Sequence, residues 1–176
     1  MVVGRSMRTA PAARPKAPAR SAEQWAVFVW RLPMGSSTPR VTVWRVLRRL
    51  GAAALTPGAA LLPWREELVE QLDWLAQDVD DKGGDAWVMR VSELPEADER
   101  RVVDEINAER DGEYAAIRDH ALGLLARIAK RPGPSQMDRE LAALQRRFRK
   151  VRDRDYFEAR GRNRAAAAID RCLRSR

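Results

Sequence analysis

The spacing of apolar positions changes several times along the chain, and each change marks an element. The run Trp25-Ala26-Val27-Phe28-Val29-Trp30-Arg31-Leu32-Pro33 is β-branched and aromatic, which predicts a buried central strand closed by proline. Residues 33–39 read as loop, with Thr38 suited to cap a helix whose first position is Pro39. In that helix Val43, Leu47 and Leu50 fall on one stripe beside Trp44 and Val46. Arg45, Arg48 and Arg49 take the remaining arc, and Gly51 is a suitable stop. Two short apolar runs on either side of Pro57-Gly58 predict a hairpin, with a type II turn in which glycine supplies the positive φ. Leu68, Leu72, Leu75 and Val79 then predict a second helix over about 65–82, acidic in its first turn and ended by Gly83-Gly84. Residues 86–91 are the last strand. The order β-α-β-β-α-β is the split βαβ, or ferredoxin-like, unit. A winged helix also begins strand, helix, hairpin, so it stands as the alternative for the first fifty residues.

Beyond Pro95 the pattern is helical. Val102, Val103 and Ile106 open one stripe, and Ile117, Ala121, Leu124 and Ile128 continue it at spacings of four, three and four. Pro132-Gly133-Pro134 interrupts it. Ser135-x-x-Asp138 resembles a capping box, after which Met137, Leu141, Leu144, Phe148 and Val151 alternate four and three. Two stripes joined by a short breaker predict an antiparallel helical hairpin. A last short helix over 165–173 packs back on it. The expected fold class is therefore α+β: a ferredoxin-like βαββαβ unit at 22–95 and a C-terminal helical hairpin within an appendage at 96–176. Residues 1–21, rich in Ala, Pro and Arg, read as a disordered basic tail. They hold too little apolar surface to offset the entropy of ordering, and no apolar segment follows them as in a secretory signal.

Charge sharpens this picture. The net charge is +8, and it is segregated. Residues 21–62 carry Arg31, Arg40, Arg45, Arg48 and Arg49 against Glu23 alone, whereas residues 63–98 carry three basic groups and eleven acidic ones. From 132 to 176 there are thirteen basic groups against six acidic. Such segregation produces a field that steers toward a polyanion, although an Arg- and Ala-rich sequence also solvates its helices this way. No apolar run has the length of a membrane span. One cysteine, Cys172, excludes an internal disulfide and a multi-cysteine metal cluster, in keeping with a reducing cytoplasm.

Catalytic chemistry is thin. His120, the one histidine, lies in a helical stripe beside Ile117 and Leu124 and reads as a helix residue rather than a ligand. No nucleophile motif, P-loop or dinucleotide fingerprint occurs, so no cofactor is expected. Asp78, Asp80 and Asp81 end a solvated helix and lack EF-hand spacing. Small ferredoxin-like nucleases hold a metal with an aspartate just after the first strand; here Arg31-Leu32-Pro33 stands in that place. The sequence reads as a non-enzyme with no catalytic or metal residues.

Trp30-Arg31-Leu32-Pro33 followed by Arg40-Val41-Thr42-Val43-Trp44-Arg45-Val46-Leu47-Arg48-Arg49-Leu50-Gly51-Ala52 resembles the N-terminal domain of ChrB-type chromate-resistance proteins. The likeness continues through Leu72-Asp73-Trp74-Leu75 and Gly83-Gly84. It extends to Phe148-Arg149-Lys150-Val151-Arg152-Asp153-Arg154-Asp155-Tyr156-Phe157, a basic helix ending in an Arg-Asp-aromatic-Phe element. It covers about residues 22–174. The resemblance implies a bacterial, cytoplasmic regulator of a chromate-efflux operon that binds promoter DNA and responds to chromate or another oxyanion. Longer members carry a further C-terminal domain, so sensing residues located there are not carried over to this chain.

Physical chemistry supplies candidate contacts. Arg31, Arg40, Arg45, Arg48 and Arg49, with Arg146, Arg147, Lys150 and Arg154 on the distal basic helix, are placed to neutralise DNA phosphates. A homodimer would give two-fold contacts to an operator. The competing reading is a protein-interaction module, in which the heptad-like helices dock a partner and the arginines only solvate. Salt separates them: phosphate binding weakens steeply as salt rises, and apolar docking does not.

Overall fold

The computed structural model describes residues 24–33, 37–128 and 134–175. The basic tail and most of the Pro132-Gly133-Pro134 breaker lie outside them, as do the side chains of Ser135 and Ile128. Four strands, β1 (Trp25–Arg31), β2 (Ala53–Thr56), β3 (Ala59–Pro63) and β4 (Asp85–Val91), form an antiparallel sheet in the order β2-β3-β1-β4. Helix α1 (Ser37–Leu50) carries the chain from central β1 to edge strand β2, and α2 (Glu66–Asp80) carries it from β3 to the other edge, β4. That is the ferredoxin-like arrangement, and the winged-helix alternative falls because a second helix links β3 to a strand on the far side of β1. Three further helices follow: α3 (Glu96–Ile128), α4 (Pro134–Arg152) and α5 (Arg162–Arg174).

β1 is apolar from Trp25 to Trp30 because one of its faces is covered by helices and the other partly so. Ala26, Phe28 and Trp30 point to the helix layer, where they pack with Val43, Leu47 and Leu50 of α1 and with Leu68, Leu72, Leu75 and Val79 of α2. Trp30 meets Trp44 edge-on with centroids 5.1 Å apart. Trp25 points the other way and joins Ala53, Leu61, Val102 and Ile106, so the first turns of α3 cover part of the second sheet face. Phe157 stacks on Trp25 at 5.7 Å. A third core, built on Tyr114, Ile117, Ala121 and Leu124 of α3, binds Leu141, Leu144 and Val151 of α4 and Ala165, Ala168, Ile169 and Cys172 of α5. The antiparallel hairpin is present, and α5 closes it into a three-helix group.

Several local expectations are corrected. α1 begins at Ser37, so Thr38 lies inside the helix, and its carbonyl accepts a hydrogen bond from the Thr42 hydroxyl at 3.0 Å. The β2–β3 turn is not type II, because Gly58 is not among the positive-φ residues. Glycine is needed there for space: a Cβ would stand 2.8 Å from the Trp30 carbonyl, while the Trp30 N–H donates to the Gly58 carbonyl at 2.9 Å. Cys172 is buried, and its thiol donates to the Ala121 carbonyl at 3.1 Å. His120 is exposed.

Candidate nucleic-acid interface

α1 turns Val43, Leu47 and Leu50 into the core and leaves Arg40, Arg45, Arg48 and Arg49 in solvent. At its end Gly51 adopts φ +82°, the left-handed conformation that glycine takes without steric cost. Its N–H donates to Arg48 and that of Ala52 to Leu47, at 3.1 and 3.0 Å, a Schellman closure. The terminal carbonyls acquire partners from a hundred residues away. Arg154 donates to the Arg48 carbonyl at 3.0 Å, and the Tyr156 hydroxyl to the Leu50 carbonyl at 2.7 Å. A guanidinium at this end also complements the negative pole of the helix.

Arg154 is held from behind. Its other nitrogen donates to Glu113 of α3 at 2.6 Å. The opposite oxygen of Glu113 lies 3.1 Å from Arg110, whose side chain is fully buried and also pairs with Glu109 at 2.6 Å. Arg110 is the one buried charged side chain among the described residues. It packs against Gly51, where a Cβ would stand 2.7 Å from its Nη1. Asp155 accepts from the Tyr114 hydroxyl at 3.0 Å and from the Ala159 N–H at 2.9 Å. Burial raises both tyrosines: the Tyr156 phenol is pushed up to about 12 against the opposing pull of Arg110 and Arg154, and burial plus the Asp155 bond raise Tyr114 further. The Arg-Asp-Arg-Asp-Tyr-Phe segment is thus a latch that fastens the end of α4 to the end of α1.

The latch sets two basic helix ends side by side. The last turn of α1 carries Arg48 and Arg49, and that of α4 carries Arg149, Lys150 and Arg152. Arg146 and Arg147 continue along the solvent face of α4. Among the described residues, Arg45, Arg48, Arg49, Arg146, Arg147, Arg149 and Lys150 are in no side-chain ion pair. Of the nine sequence candidates, Arg154 touches the Arg48 carbonyl, Arg49 shares the last turn of α1, and Lys150 lies in the last turn of α4; Arg45, Arg146 and Arg147 lie further along the same two helices. Arg31 and Arg40 sit at the opposite end of the sheet. Arg31 pairs with Asp85 at 2.6 Å, and Arg40 reaches the Leu32 carbonyl at 3.5 Å. Arg154 is committed to Glu113 and to Arg48, so its task is positional.

A cleft of about 530 Å³ opens beside the latch between α1, β2 and α3, lined by Trp44, Arg48, Ala53, Glu105, Ile106 and Glu109. Two carboxylates there oppose an oxyanion. Sequence reasoning missed Arg110, Glu113 and Tyr114, and noted Tyr156 only as part of the family element. A signal existed for Arg110, which continues the α3 stripe four residues after Ile106 and so occupies a core position. Among the described residues, no group of three or more His, Cys, Asp or Glu side chains is placed to hold a metal, and no helix is long and apolar enough to cross a membrane.

Comparison with known proteins bears on this arrangement. A family model described as Protein ChrB, N-terminal, matches residues 40–176. Protein ChrB of Cupriavidus metallidurans is 33% identical over 118 residues, which are 62% of this chain and 36% of that protein. The chain thus matches about a third of that relative's length. No solved structure matches. The matched span takes in α1, the sheet strands from β2 onward, the latch and all three later helices, and on that coverage the chain belongs to the ChrB N-terminal family.

Proposed function

We propose that this chain is a non-enzymatic, cytoplasmic DNA-binding regulator of chromate or related oxyanion resistance, gripping promoter phosphates with the joined basic ends of α1 and α4. The observation that supports this reading is the latch: it joins the ends of two helices whose last turns carry cations from positions a hundred residues apart. Seven cations without acidic partners form a patch whose attraction to a polyanion grows with each phosphate met. Family membership supports the link to chromate resistance. No oxyanion site is assigned on this chain.

The test is binding of the purified protein to DNA from upstream of its own gene and to a scrambled duplex, across a salt series, with and without chromate. Preference for the upstream DNA that persists at moderate salt supports a regulator. Equal, salt-fragile binding to both duplexes reduces the patch to a basic surface, and no binding at low salt removes the reading. The interaction-module reading also has an observation in its favour, since Trp74, Trp87 and Met89 are exposed.

A further inference from the structure

The two edges of the sheet are treated differently. β2 has four residues, its pairing is interrupted by a register shift between Ala54 and Thr56, and the cleft with Arg48 and Glu105 flanks it. Short length and a bulge are devices that prevent an edge from recruiting another strand. β4 has neither. Its seven residues pair with β1 in unbroken register from Asp85 opposite Arg31 to Val91 opposite Trp25, and among the described residues no strand pairs with its outer side. It contains no proline, and its two charged residues are already engaged. Asp85 holds Arg31 at 2.6 Å, while Arg90 donates to Gln24 and lies over the Trp64 ring at 4.7 Å.

Between those charges stand Trp87, Val88 and Met89. Trp87 is 52% and Met89 47% exposed, on the sheet face that α3 leaves uncovered beyond Trp25 and Leu61. Cross-strand neighbours Val29 and Val27 extend the apolar strip. On α2, Trp74 is 67% exposed. It falls on the flank opposite Val69 and Ala76, the flank residues packed into the core shared with α1. Large apolar side chains therefore border the open strand in both layers.

We propose that β4 pairs with β4 of a second copy, antiparallel about Val88, to form one continuous eight-stranded sheet. The strand is self-complementary in that register. Trp87 stands opposite Met89 of the partner copy, twice, a sulfur–aromatic pair of the kind that stabilises neighbouring strands. Arg90 falls opposite Ala86 and Asp85 opposite Val91, so no like charges meet. Shifting the centre to Met89 sets Asp85 against Glu93 twice, and shifting it to Trp87 replaces the two Trp87–Met89 pairs by a single Trp87–Trp87 pair, a register in which Trp87→Cys chains would cross-link alone. This inference does not rest on the DNA reading, although a two-fold dimer would present two basic patches.

Sedimentation equilibrium of the full chain over a range of concentrations should show a monomer–dimer equilibrium. Met89→Lys should weaken the dimer by roughly tenfold, because two cross-strand pairs are lost per dimer. Its thermal midpoint extrapolated to low concentration should match wild type, since residue 89 is half-exposed. The register is tested independently by cross-linking. Trp87→Cys chains mixed with Met89→Cys chains should form a disulfide under mild oxidation, and neither should do so alone, since like positions sit a diagonal apart at about 7–8 Å. A monomer at every concentration overturns the proposal and leaves β4 for a different protein partner. So does a dimer that Met89→Lys does not weaken, or one in which the mixed cysteines fail to cross-link.

Discussion

Arg154→Met is the sharpest perturbation of the latch. It keeps most of the alkyl packing and removes the guanidinium that bridges the Arg48 carbonyl at 3.0 Å and the Glu113 carboxylate at 2.6 Å. Each hydrogen bond involving a charged group contributes about 1.5–3 kcal/mol when well made. Two are lost, but Arg154 and Glu113 side chains are 20% and 28% exposed, so water reaches the vacated carboxylate. Arg110 also continues to neutralise it. The lower part of the range therefore applies, about 2–3 kcal/mol in total. For a chain of this size that lowers Tm by roughly 4–12 °C. Arg154→Lys, which keeps the charge but reaches one acceptor at a time, should lose about half as much. Near-ultraviolet circular dichroism follows the melt, and a double-mutant cycle with Glu113→Gln should show coupling of about 1 kcal/mol or more. A Tm for Arg154→Met within about 1 °C of wild type would refute the reasoning.

Two other outcomes follow from the same region. Gly51→Ala places a side chain at φ +82° and 2.7 Å from a buried guanidinium nitrogen, so it should cost about 2–4 kcal/mol in denaturant unfolding. Gly112→Ala, with nothing within 4 Å and inside α3, should instead stabilise by about 0.5–1 kcal/mol; a similar effect at both sites would show that Gly51 is not specially constrained. Both tyrosines of the described chain are raised above the ordinary value of 10.0, so between that pH and about 12 the unfolded chain releases protons that the folded one retains. Stability should be insensitive to these groups below that window and fall as pH rises through it. Tyrosinate absorbance should stay absent from the native protein just above pH 10, and early ionisation of Tyr156 would contradict its burial.

The ferredoxin-like half was legible because its signals are local. β1 reads as one apolar run since one face is covered and the other partly so, α1 and α2 repeat at helical spacing, and Gly51 closes α1 as expected. The Pro57-Gly58 turn was placed correctly but mistyped, because what constrains Gly58 is the Trp30 carbonyl across the sheet, which no local pattern encodes. The basic helices were equally legible as stripes of arginine. Their meeting was not. It depends on Arg154, Tyr156 and Glu113 finding partners 41 to 106 positions away, which no local pattern encodes. The same holds for the ion pairs of Arg31 and Arg154: charge alone does not tell which arginine meets Asp85 or Glu113.

The central claim is that α1 and α4 present one phosphate-binding surface. The measurement that addresses it is the slope of log affinity against log salt for a short duplex, in wild type, in Arg48→Gln with Arg49→Gln, and in Arg147→Gln with Lys150→Gln. Each lost phosphate contact should reduce the slope by about 0.9. The account expects both pairs to lower it by roughly one to two on the same DNA, and the combined variant to lower it by the sum. If either pair leaves the slope unchanged while the fold is intact, the two helices do not share a ligand and the joined surface is only a solvated seam.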